Sequence, residues 1–226
     1  MNNGKWGVLD ALGAKLTDCQ YEDILYLEKI QYYIVKEKGK YGVFNKNIYL
    51  KVEPEFDKFI SFSNGLFEFQ KAGNSYLIDT SGKVVFGPEP NTIIDFSNDV
   101  IVYSDGLMEG AKTFGNKEIF PCKYNSISGF NNNLASISNS IGETALCNSK
   151  GEILTAFEYS GIIICDEDLI IVLKNDKFGF LDHKGKIVIP IEYDFVACFI
   201  DGQALVKKYG NYFYINKENK KIGDGN

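Results

Sequence analysis

His183 is the only histidine in the 226-residue chain, so any chemistry that needs an imidazole must run through it. A Ser-His-Asp or Cys-His arrangement requires that ring to be buried and oriented by a third group. The residues around it, Asp182 and Lys184-Gly185-Lys186, instead spell a solvated turn. No Cys or His spacing builds a metal cluster around it. Asp10, Asp79 and Asp182 have the chemistry of hard-cation ligands, but no second carboxylate keeps step with them, and turn capping is the simpler role. Glu152 and Glu158 resemble an acid–base pair for glycoside hydrolysis, yet each stands where other copies of the repeat described below carry different residues. Glycine-rich phosphate cradles are absent from the sequence. Neither catalysis nor a cofactor is expected.

The five cysteines, 19, 122, 147, 165 and 198, form no CxxC motif. They are expected to be reduced and buried, acting as small hydrophobes. All 24 basic residues are lysines and the net charge is −6. Without arginine the bidentate contacts that read phosphates and bases are missing, so a nucleic-acid partner is not expected. An acidic surface suits solubility and attraction of a basic protein. No stretch approaches the 18 apolar residues of a membrane span, and residues 1–6 lead straight into a hairpin with no apolar signal region, so a cytoplasmic location with no membrane association is expected.

The elements that must position these residues are written most plainly at Lys177–Tyr193. An aromatic-Gly pair opens an apolar run that stops at Asp182. A turn, Asp-His-Lys-Gly-Lys, leads into a β-branched run ended by Pro190, which is the signature of a β-hairpin. The position of Phe178 recurs at 6, 41, 75, 109, 144 and 212, in steps of 34 or 35 residues. So regular a period means a tandem array. Four places into each unit stand Asp10, Asn45, Asp79, Thr113, Asn148, Asp182 and Asn216, which enter the turn. Three places later stand Gly13, Ile48, Gly82, Asn116, Gly151, Gly185 and Asn219. All but Ile48 suit positive φ. Aromatic and aliphatic columns follow, including Tyr21, Phe56, Tyr124, Tyr159 and Tyr193, then Phe62, Phe96, Phe130, Cys165 and Phe199.

Each unit therefore offers three clear strands and room for a fourth, in antiparallel meanders. Apolar residues lie on both alternation phases, so both faces of each sheet are expected to be covered and the sheets to stack. The small residue in the second column is expected to admit a bulky ring from the neighbouring sheet, and Trp6 to be a buried anchor.

Lys5-Trp6-Gly7-Val8-Leu9-Asp10, Lys40-Tyr41-Gly42-Val43-Phe44 and Lys177–Asp194 resemble the bacterial WG-repeat family, whose hallmark is Lys-Trp-Gly-aromatic-Ile-Asp, then Gly-Lys, an apolar run to Pro, and Tyr-Asp. The resemblance spans nearly the whole chain and implies β-repeats used for binding, without catalytic residues. The expected fold is a single all-β domain over residues 1–226, a stacked array of six to seven 34–35-residue repeats in an open superhelix, or alternatively a closed β-propeller. The expected function is a protein-interaction module, in one concrete form a small acidic inhibitor of the immunity type. The alternative is a glycan- or cell-wall-binding repeat protein. Where the repeat is irregular, stacking does not use the residues up, so partner contacts are expected at Pro88, Glu89, Asp105 and the acidic run Asp166-Glu167-Asp168.

Overall fold

The computed structural model describes residues 4–165, 167 and 169–225, and they form two compact units, Met1–Thr92 and Ile93–Asn226. Among the described residues there is no helix, and the strands assemble into six antiparallel sheets, none closed into a barrel. In the first unit a bridged hairpin, Trp6 against Tyr21 and Leu9 against Lys15, precedes two four-stranded meanders. The first sheet is Asp23–Leu27, Tyr32–Glu37, Lys40–Asn45 and Leu50–Phe56, and the second Lys58–Ser63, Leu66–Lys71, Asn74–Asp79 and Val84–Glu89. In the second unit the third sheet is Thr92–Ser97, Val100–Ser104, Glu109–Thr113 and Glu118–Tyr124. The fourth has three strands, Ser126–Ile127, Leu134–Ser138 and Thr144–Asn148. The fifth is Gly161–Ile164, Ile170–Lys174, Lys177–Leu181 and Ile187–Tyr193, and the sixth Phe195–Val196, Gln203–Lys208, Asn211–Asn216 and Lys221–Asp224. Each sheet thus takes two strands from the end of one sequence repeat and its remaining strands from the start of the next.

Stacking follows from the two alternation phases, as the sequence implies. In the fifth sheet Ile170, Val172 and Leu181 pack on the fourth sheet's Leu134, Leu146 and Tyr159. The intervening Ile171, Phe180 and Ile189 point the other way, onto Ala204, Val206 and Ile215 of the sixth. The third and fourth sheets meet through Val102, Phe120, Ile137 and Cys147. In the first unit Ile34, Val43 and Phe56 meet Phe67, Phe69 and Ile78, and Tyr21 of the hairpin sets its ring edge-on to Phe44 at 5.8 Å. The turn columns also behave as read. Asp182 Oδ1 accepts the backbone N–H groups of Lys184 and Lys186, both at 2.9 Å, and Gly185 follows at φ +82°. Ile48 holds the same place at φ +60°, a conformation that β-branched residues avoid.

The motif glycine does something other than expected. Tyr41 pairs with Phe56 and Val43 with Val52, so three residues, Glu53-Pro54-Glu55, stand opposite Gly42 alone. The same two-residue excess sets Pro121-Cys122-Lys123 against Gly110 and Pro190-Ile191-Glu192 against Gly179. The bulged backbone bows onto the glycine. A Cβ at Gly42 would lie 2.5 Å from Val52 O, and one at Gly179 would lie 2.8 Å from both Ile189 O and Ile191 Cα. Proline fits the bulge because its missing N–H is not needed in the ladder there. The small residue therefore admits the bulge of its own sheet, not a ring from a neighbouring one. Phe178 and Tyr41, the motif aromatics of two other units, pack at the edge of the cores. Trp6 does not, which corrects the expectation for it: it is 46% exposed, and its backbone N–H donates to Tyr21 O.

Gly179→Ala is expected to destabilise the protein by about 1–3 kcal/mol, because the new methyl meets backbone that cannot swing aside. Gly161→Ala is the control, since its Cβ would meet only Leu173 Cβ at 3.9 Å, and it should be close to neutral. Denaturant midpoints of the two variants, measured side by side, check this.

Candidate functional site

Most polar side chains singled out in the sequence are engaged within their own turns. Asp10 Oδ1 accepts from Leu12 N at 2.9 Å and Ala14 N at 2.7 Å, and Asp79 Oδ1 from Ser81 N and Lys83 N. These are turn caps, and among the described residues no three His, Cys, Asp or Glu side chains cluster as a metal site. His183 is exposed in its turn. Glu158 pairs with Lys174 at 2.8 Å, while Glu152 accepts from Asn148 Nδ2 at 2.5 Å.

The expected partner residues fall in different settings. Asp166 and Asp168 lie outside the described residues. Glu167, between them, pairs with Lys217 of the sixth sheet at 3.3 Å. Asp105 is exposed, and its Oδ1 accepts the N–H groups of Met108 and Leu107, both at 2.9 Å. Those bonds hold its carboxyl below the usual range. Pro88 is exposed. Glu89 is not: it is 2% exposed, pairs across the ladder with the equally buried Ser75, and its Oε1 accepts from Asn91 N at 3.0 Å. Glu89 is thus part of the packing and offers no surface to a partner. Asp105 sits in the third sheet and Glu167 on the approach to the fifth, so a single continuous acidic patch is not formed by these two.

Two cysteine expectations are corrected. Cys165 and Cys198 form a disulfide across a Cα–Cα distance of 5.8 Å. They are 33 residues apart, one short of the usual repeat step, which puts them on facing positions of consecutive sheets. Cys19, assigned to the apolar column, is exposed, and Cys122 is half-buried. Cys147, by contrast, is fully buried in the core between the third and fourth sheets, and burial pushes its thiol up to about 12.

Two periodic constellations escaped the sequence reading. The first links successive hairpins. Lys40 pairs with Asp57 and Lys177 with Asp194, and Lys5 lies 3.7 Å from Glu22. Each acid also caps the next hairpin turn: Asp57 Oδ2 accepts from Ala72 N at 2.7 Å, Glu22 Oε2 from Gly39 N at 3.1 Å, and Asp194 from the Tyr209 N–H. The lysine lies just before the motif aromatic and the acid sixteen places after it, so spacing alone could have found the pair. The second is a set of uncovered aliphatics on first strands, Leu25 and Ile60 in the first unit and Ile94 and Ile163 in the second, each between 42% and 53% exposed. They share one repeat position, next to the half-buried or buried Ile24, Phe59, Ile93 and Ile162. Strand alternation would have revealed them, since the neighbour of an inward residue points outward. Each of those strands pairs on one side only, which leaves the other backbone edge open as well.

The architecture and its repeated motif define a tandem β-repeat protein. The chain belongs to the WG containing repeat family, whose model matches residues 6–41, 41–74, 115–139, 146–178 and 178–221. Residues 75–114, which that model passes over, still build regular sheets. Solved structures with related folds include a eukaryotic initiation factor at 9% identity and TM-score 0.49, covering 97% of this chain and 70% of that one. Hsv2p of Kluyveromyces lactis is similar at 14% identity and TM-score 0.42, covering 88% and 76%. BamB of Moraxella catarrhalis follows at 11% and 0.39, covering 91% and 75%. No curated protein is significantly similar in sequence.

Three thiols, not five, should titrate in the unfolded protein when no reductant is added. In the native state Cys19 should label fast and Cys147 slowly, because Cys147 is both buried and held as the neutral thiol. Five reactive thiols would remove the disulfide.

Asp57 and Asp194 are held below the usual carboxylate range, first by their lysine hydrogen bonds and then by backbone donors or Coulomb attraction. The unfolded chain binds protons more readily at these two sites, so their contribution is present above about pH 4 and fades as pH falls through the folded values. The double change Asp57→Asn, Asp194→Asn should lower the melting temperature at pH 7, and the gap to the native protein should close in acid. A gap that stays constant from pH 7 to pH 2 would contradict the pairing.

Proposed function

We propose that this chain is a non-enzymatic module that binds a protein, with the uncovered first-strand aliphatics as its contact surface. The observation that carries the reading is the recurrence of an uncovered aliphatic at one repeat position, Leu25 and Ile60 in the first unit and Ile94 and Ile163 in the second. These four stay in solvent at a shared place beside an open strand edge, and Val84, Ile153 and Ile187 stay exposed at a second repeat position. Periodic apolar exposure of that kind suits a partner surface better than scattered single residues would. A net charge of −6 favours a basic partner and speeds its approach. A small acidic inhibitor that neutralises a basic toxin or enzyme is the concrete form of this reading. The reading includes no cofactor, nucleic acid or membrane. The Cys165–Cys198 disulfide supports an oxidising compartment over the cytoplasm as the place where the protein works.

A second reading, glycan binding, is favoured by one specific feature. The sixth sheet exposes Tyr209 (86%) and Tyr212 (43%) around a groove that also presents Asn211, Lys208 and Asp224. Flat rings beside polar side chains suit the faces and hydroxyls of a sugar.

The test uses the native chain and the variant Ile94→Gln, Ile163→Gln as paired baits in extract of the source cell. Both substituted side chains are already half in water, so the melting temperature should change little. A protein captured by the native chain should be lost from the variant, and its capture should weaken as salt rises. Identical capture by both baits would overturn the protein reading. Retention on insoluble polysaccharide that Tyr212→Ala abolishes would establish the glycan reading in its place.

A further inference from the structure

Three turns of the second unit line an open cleft of about 350 Å³. Asn132 and Asn133 lie ahead of the strand Leu134–Ser138, Ser149 and Lys150 follow the strand Thr144–Asn148, and His183 is at the tip of the fifth sheet's hairpin. Two of the lining groups are already committed. Asn148 accepts the Lys150 and Glu152 N–H groups at Oδ1 and donates from Nδ2 to Glu152. The Ser149 hydroxyl donates to Asn133 Oδ1 at 3.4 Å, which leaves the Asn133 amide nitrogen as its free end.

What remains is a set of donors with no protein partner: the amide nitrogens of Asn132 and Asn133, the Lys150 ammonium and the His183 ring. No carboxylate lines the pocket, although the chain carries 30 acids against 24 lysines. The nearest acids in sequence are occupied elsewhere, Asp182 by the N–H groups of its turn and Glu152 by Asn148. Several donors and a positively charged side chain lining one cleft, with no carboxylate among them, are the chemistry of oxyanion recognition. The cleft is open to solvent, so a molecule carrying the anion can extend out of it.

We infer that this pocket binds an oxyanion, a phosphate or carboxylate group, through Lys150, His183 and the amides of Asn132 and Asn133. The inference does not depend on the protein-binding reading above, since it concerns different residues and a different chemistry.

His183 is the only histidine, so its ring signals report on the pocket without assignment. Inorganic phosphate and, separately, acetate are titrated into the full chain at fixed pH and constant ionic strength, with sodium chloride as the reference. A saturable shift of the His183 signals by either probe is expected. Lys150→Gln should weaken it roughly three- to tenfold, while Lys29→Gln, in the other unit, should leave it unchanged. Phosphoserine distinguishes a free anion from a carried one: tighter binding than phosphate means the pocket also holds the carrier, and equal binding means it holds the anion alone. Shifts that never saturate with either probe, or that saturate equally in Lys150→Gln, mean an adventitious ion only and overturn the inference. Circular dichroism of the variant confirms that any loss is not unfolding.

Discussion

The sheets depend on one close approach, that of a glycine to the bulged backbone of the strand beside it. At Gly42, Gly110 and Gly179 three residues of the fourth strand face one residue of the third, and any side chain there would collide with main chain. Where the motif glycine is missing, the space is supplied from the other side or the bulge is absent. In the second sheet Tyr76 holds the glycine's place, and Gly87 appears across from it, where a Cβ would lie 2.7 Å from Ser75 O. In the sixth sheet Phe213 holds that place and faces Asp224 without a bulge, so no compensating glycine is needed there. The requirement belongs to the pair of facing positions and not to either residue. That is why the motif can fade from the sequence while the sheet remains.

The two segments without a continuous fourth strand show the same constraint from another direction. Thr17 in the first hairpin and Thr155 after the fourth sheet occupy one repeat position, which in the four-stranded sheets of similar register is held by Val52, Phe86, Phe120 and Ile189. Each threonine hydroxyl accepts a third-strand N–H, from Val8 at 2.9 Å and Leu146 at 3.0 Å. A side-chain oxygen has replaced a ladder carbonyl at that point, and only isolated bridges persist beyond it. In the fourth sheet the motif residue is also Ala145, whose methyl leaves less room for a bulge.

The period, the turn caps, the tyrosine column and the stacking of both sheet faces were legible because each rests on a local rule repeated six or seven times. What was not legible depends on a single pair of positions or on what lies across a sheet. Cys165 and Cys198 differ by one place within the repeat, so column alignment separates them while the packing of consecutive sheets brings them together. Trp6 has the hydrophobicity of a core residue, yet it stays 46% exposed while Val8, two places on, is buried. Glu89 lies between Pro88 and Pro90, and that irregularity reads as a loop. It is in fact the bulge of an edge strand, and the carboxylate is drawn into the fold. Irregularity in a repeat marks a change in packing at least as often as a site.

The distribution of polar groups bears on function in the same way. A catalytic constellation needs side chains from separate elements to converge with their hydrogen-bonding capacity uncommitted. Here Asp10, Asp79, Asp105, Asn148 and Asp182 close their own turns, and Asp57 and Asp194 tie one hairpin to the next. Tight turns every few residues demand those caps, and long meanders have many turns. Among the side chains left over are aliphatics on outer strands, Leu25, Ile60, Ile94 and Ile163 on first strands and Val84 and Ile187 on fourth strands, and donors at turn tips. A fold that commits its carboxylates to its own backbone leaves few side chains from separate elements to converge, and the positions that the repeat does not need are where the proposed contacts fall.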